Sequence, residues 1–161
     1  MRPVPKLPNR LWLRCVMLPQ PQKNTYWSNQ IEVQRREVSA WRAEQSGHHD
    51  DALQTMRSAV DLEDSMDKNA VTPGAITPAR ELLAQLLVLQ HQPKQALAEY
   101  EAALKVAPNR FDALYGAATA AEQAGDAATA AGYFRRLTEV AVGDERPELD
   151  IARKKLTVAM K

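Results

Sequence analysis

The densest group of side chains able to do chemistry in this chain is His48-His49-Asp50-Asp51, two imidazoles followed by two carboxylates. Converging groups of these types can hold a divalent metal or move a proton. Here they follow directly on Gly47, where one helix should stop and the next begin, and polar residues at such a turn cap helices and face water. The carboxylate pair Glu63-Asp64 lies near a helix end and reads as solvated for the same reason. Cys15 is the only cysteine, so neither an internal disulfide nor a cysteine-based metal site is available to it. A Gly-rich phosphate loop, a Gly-x-Ser-x-Gly elbow and an HExxH helix are all missing from the sequence. The expectation is a chain with no catalytic residue, no cofactor and no bound metal, and so not an enzyme.

Composition narrows the class further. Apolar residues make up 45% of the 161 and charged residues 25%, with a net charge of +1, which favours neither disorder nor nucleic-acid binding. No run approaches the ~18 uninterrupted apolar residues of a membrane span. Residues 1–28 differ from the rest: Pro3, Pro5, Pro8, Pro19 and Pro21 stand among Arg2, Lys6, Arg10, Arg14 and Lys23, with no acidic residue. Arg14 splits the apolar stretch around Trp12, so a secretory signal is not expected. This segment reads as a basic, proline-rich, flexible arm. A cytoplasmic location is the corresponding expectation.

The elements that would carry any functional side chain are helices. Asn29 with Glu32 has the form of a capping box and predicts a first helix ending at Gly47. Asp50 or Asp51 caps a second, with Ala52, Leu53, Met56, Ala59 and Val60 on one stripe. Pro73-Gly74 is type II turn chemistry, and Thr77-Pro78 restarts a helix as cap and first residue, with Leu82, Leu83, Leu86, Leu87 and Leu89 on its buried side. Pro93 opens a fourth helix bearing Ala96, Tyr100 and Ala103. Pro108-Asn109 separates it from a third pair, which turns at Gly125-Asp126. Pro147 opens a last helix with a stripe of Leu149, Ala152, Leu156 and Ala159.

Displaced by 34 residues, the chain matches itself: Ala84 falls on Ala118, Ala96 on Ala130, Tyr100 on Phe134 and Ala103 on Leu137, with Pro108 closing the first copy. Upstream, Ala40, Ala52, Met56 and Ala59 repeat the same offsets, and His91 stands where Gly47 and Gly125 stand. This register, with small and aromatic residues at fixed offsets, resembles the tetratricopeptide repeat (TPR) family. The large aromatic that often opens the first helix of that repeat is replaced by Arg36, Arg80 and Leu114. The resemblance implies an all-α solenoid, three helix pairs plus a C-terminal capping helix, about seven helices in a right-handed superhelical arc. The expected organisation is an arm at 1–28, repeats at about 29–66, 77–108 and 109–142 with an insertion loop at 67–76, and a capping helix at 143–161.

In that family the partner lies in the concave groove lined by the first helix of each pair. Carried onto this sequence, the groove face holds Glu37, Trp41 and Glu44, then Glu81 and Gln85, then Asp112, Tyr115, Thr119 and Glu122. The lysine, arginine and asparagine clamp by which some members grip carboxylate tails is absent, since Glu37, Trp41, Leu82, Asp112 and Gly116 hold those places. An acidic groove favours a basic or neutral protein or peptide, with Trp41 and Tyr115 as anchors. The basic arm itself has the composition such a groove would hold. The expected function is a non-catalytic interaction scaffold, or alternatively a regulatory or substrate-presenting section of a larger protein or complex. No nucleic-acid or membrane partner is expected.

Overall fold

The computed structural model describes residues 25–66, 75–143 and 146–159. Among them run seven helices and no strand: α1 (Thr25–Gln45), α2 (His49–Asp64), α3 (Ala79–Leu89), α4 (Pro93–Val106), α5 (Phe111–Gln123), α6 (Ala127–Val140) and α7 (Pro147–Ala159). Each packs on the next in order, α1 on α2 through α6 on α7, and first helices also touch across repeats, α1 with α3 and α3 with α5. This is the TPR solenoid: three antiparallel pairs stacked in one direction, with α7 closing the far end.

The three turns within pairs share one geometry. Gly47, His91 and Gly125 have φ of +79°, +56° and +82°, the left-handed conformation that ends a helix. In each, the next residue's N–H reaches back five residues: His48 to Ala43 O at 2.9 Å, Gln92 to Leu87 O at 2.8 Å, and Asp126 to Ala121 O at 2.9 Å. His91 is therefore a side-chain-bearing residue in a glycine's place, as the register predicts.

Small residues lie buried where helices approach. Ala40, Ala84 and Ala118 are fully covered, as are Ala52, Ala96 and Ala130 or nearly so. Ala152 is covered too, and it stands 34 residues beyond Ala118. So α7 keeps the period and is in register with the first helix of a fourth repeat. Between pairs, Tyr100 of α4 lies against Gly116 of α5, so closely that a Cβ on Gly116 would collide with the ring. Within the last pair, the rings of Tyr115 and Phe134 meet edge-on at 6.3 Å.

Several expected boundaries move. The first helix is described from Thr25 on, so the expected Asn29 cap lies within it, and Glu32 accepts from Arg35 and Arg36 instead of capping a helix start. Residues 25–28 thus belong to α1 and not to the arm; the rest of the arm, 1–24, lies outside the described residues, as do 67–74 of the insertion. The cap of α2 is His48, ahead of Asp50 and Asp51. Pro78 precedes α3 instead of opening it, and the free N–H of Ala79 is bonded by Glu63 Oε2 at 2.8 Å, a cap supplied by the preceding pair. Leu89, expected in the core, is 56% exposed.

Candidate functional site

The face shared by α1, α3 and α5 carries the residues expected to bind a partner, and most of its carboxylates are already engaged. Glu44 takes hydrogen bonds from Gln90 Nε2 at 2.7 Å and His49 Nδ1 at 3.0 Å. Burial pushes its carboxyl up, but those two bonds outweigh it and hold the pKa below the usual carboxylate range. Asp112 pairs with Arg146 at 2.9 Å, and Glu122 pairs with Lys155. Both cations flank or belong to α7, about one repeat further along the chain. The closing helix therefore neutralises the acidic row of α5.

Glu81 departs most from expectation. It is 1% exposed and does not line an open surface. Arg110, at the start of α5, donates to both its oxygens and bonds Ile76 O at 2.9 Å. Its position on the first helix fitted a groove residue; the arginine one repeat on turns it into an internal tie between repeats. A second such tie runs from Arg80 to Asp64 and to Glu99, the latter at 2.6 Å, joining α2, α3 and α4.

Trp41 and Tyr115 are half-buried and pack against the core. Gln85 is exposed. The Thr119 hydroxyl bonds its own helix, to Tyr115 O at 3.1 Å and Gly116 O at 3.0 Å. These residues share the first-helix face.

A cleft does open at the α1 end of this face, about 420 Å³, between α1, the end of α2 and the start of α3. Val33, Val38, Ile76 and Leu82 form apolar walls, and Glu37 and Glu63 bring carboxyl groups to it. Burial, then the neighbouring Glu63 charge, pushes the Glu37 carboxyl up to about 7. Glu37 makes no ion pair among the described residues. Of the acidic groups expected to face a ligand, it is the one still available to a cation. Glu63, read from sequence as solvated, and Ile76 were not assigned to this face, because they come beside Glu37 only when α2 and α3 pack on α1.

The His48–Asp51 cluster does not converge. His49 turns to Glu44, and no group of three potential metal-ligating side chains occurs among the described residues. None of the described helices is long and apolar enough to cross a membrane.

Residues 81–145 match the family model described as tetratricopeptide repeat. Among solved structures, PcrH from Pseudomonas aeruginosa is similar with a TM-score of 0.62 and 18% identity, over 90% of this chain and 98% of that one. A TPR-like protein from Chlorobium tepidum is similar with a TM-score of 0.57 and 18% identity, over 84% of this chain and 98% of that one. At such identities the likeness is one of fold. No curated protein matches the sequence.

Proposed function

For a chain that carries tetratricopeptide repeats and folds as their solenoid, we propose the role of a non-catalytic interaction module that holds a basic segment of a partner protein on the concave face. The observation that carries this reading is the cleft at Glu37, a carboxyl group set between apolar walls with no ion pair among the described residues. A lysine or arginine side chain suits it, with the stem against Leu82 and the charged head at Glu37. Trp41 lies one helical turn beyond Glu37 on α1 and Tyr115 on α5, so a bound segment running along the face would cross both rings. Because Asp112 and Glu122 are already paired with Arg146 and Lys155, the charge preference is concentrated at the α1 end.

The test is a pull-down from lysate with wild-type chain beside a Trp41→Ala, Tyr115→Ala variant and, separately, Glu37→Gln. Partners captured by wild type and lost by the aromatic variant support binding on this face. Loss or reversed salt dependence with Glu37→Gln assigns the basic contact to the cleft. If every partner survives all three substitutions, the concave face is not the binding surface.

A further inference from the structure

The repeat register identifies a second surface, at the open end of the array. Val38 of α1 corresponds to Leu82 of α3 and Gly116 of α5; Arg35 corresponds to Ala79 and Ala113, and Arg42 to Leu86 and Ala120. In α5 this face is covered by the second helix of the preceding pair, as the Tyr100 ring against Gly116 shows. In α3 Ala79 and Leu86 are at 0% exposure and Leu82 is partly buried, and α2 packs there. In α1 they are open: Val38 is 62% exposed, Ile31 two turns away is 67% exposed, and Arg35 and Arg42 flank them.

We propose that this face of α1 docks an acidic amphipathic helix from a partner protein, seated as α2 is seated on α3. The chemistry of the occupant follows from that seat. Helix α2 carries Asp50, Asp51, Asp61, Glu63 and Asp64 against a single Arg57. Its last turn delivers Glu63 to the N–H of Ala79 and Asp64 to Arg80. In register those places hold the side chains of Arg35 and Arg36, whose guanidiniums share the one carboxylate of Glu32, Arg36 donating also to Ser58 O at 2.8 Å. A helix docked in the same way would bring its terminal carboxylates to Arg35 and Arg36 and its apolar stripe to Ile31 and Val38. A second copy of this chain fits poorly, since α1 against α1 sets arginines against arginines and α7 presents Arg153, Lys154 and Lys155. The arm, basic at Arg10, Arg14 and Lys23, carries the wrong sign as well.

The probe is a fluorescent peptide of residues 49–64 of this chain, stapled as a helix between positions 50 and 54, which are exposed in the structure. Anisotropy titration with the full chain is expected to give saturable binding below about 1 mM, weakened by salt. Ile31→Glu and Arg42→Glu, both at exposed positions outside the cleft, should weaken it by about tenfold or more at unchanged circular dichroism and melting temperature. Trp41→Ala with Tyr115→Ala should leave it unchanged, which separates this surface from the concave face. No saturable binding, or equal binding by the Glu variants, overturns the proposal. So does binding that emerges only when residues 1–24 are removed, which makes the arm the occupant. Self-association abolished by Ile31→Glu would overturn it too, in favour of a second copy.

Discussion

Two glutamates at neighbouring places on the repeat face have opposite fates, and a nearby cation decides which. Glu81 is buried and held by Arg110, so removing the arginine leaves a charge with no partner in the interior. Arg110→Ala should cost about 3 kcal/mol by urea denaturation, the low end for a buried pair because Arg110 is itself partly exposed. A Glu81→Leu, Arg110→Met double variant should lie much closer to wild type. Glu37 is the reverse case, a carboxyl whose folded pKa, about 7, lies above its ordinary value of 4.5. Folding then favours the protonated form: this contribution is fully present below about pH 4.5 and is lost as pH rises through 7. Glu37→Gln should therefore be more stable than wild type at pH 8 and indistinguishable from it near pH 4, measured by paired melts. The types of these residues were legible in the sequence. Their partners were not, because Arg110, Arg146 and Lys155 stand roughly one repeat away and reach back across an interface.

At the scale of helices and turns, the period carries most of the information. The expected pair turns fall where Gly47, His91 and Gly125 place them, and all three are left-handed. His91 has a Cβ in that conformation, so His91→Gly should stabilise by roughly 0.5–1 kcal/mol, the relieved strain exceeding the added freedom of the unfolded chain. Thermal unfolding of the single variant checks it. At the interface of α4 and α5 the sign is opposite. Gly116→Ala gains helix propensity of about 1 kcal/mol but drives a methyl into the buried Tyr100 ring, and a net loss of ~1–2 kcal/mol is expected. In a Tyr100→Ala background the same change should cost nothing. Helix starts were less legible than helix ends. Asn29 and Glu32 have the composition of a cap, yet two arginines one turn on take the carboxylate, and nothing local reveals that competition. Likewise the cap of α3 comes from Glu63, in another pair.

For the whole molecule, order and direction of stacking were readable because every pair buries the same small residues against the same large ones. What the period could not convey is that the two ends differ. At one end α7 packs on the last pair, and Arg146 just before it and Lys155 on it pair with Asp112 and Glu122 of α5. The other leaves Ile31 and Val38 in water. A solenoid of this kind unfolds as a row of coupled units, so opening energies by hydrogen exchange should be highest in α3 to α5 and fall towards both termini. Finally, α7 sits on the period, with Ala152 at the same offset from Ala118 as Ala118 from Ala84. A tandem copy of residues 109–142 spliced after 142 would then meet a familiar neighbour on either side, with Phe134 facing a new Gly116. Length in this chain is a quantity a gene could change by whole-unit duplication without inventing a single new interface.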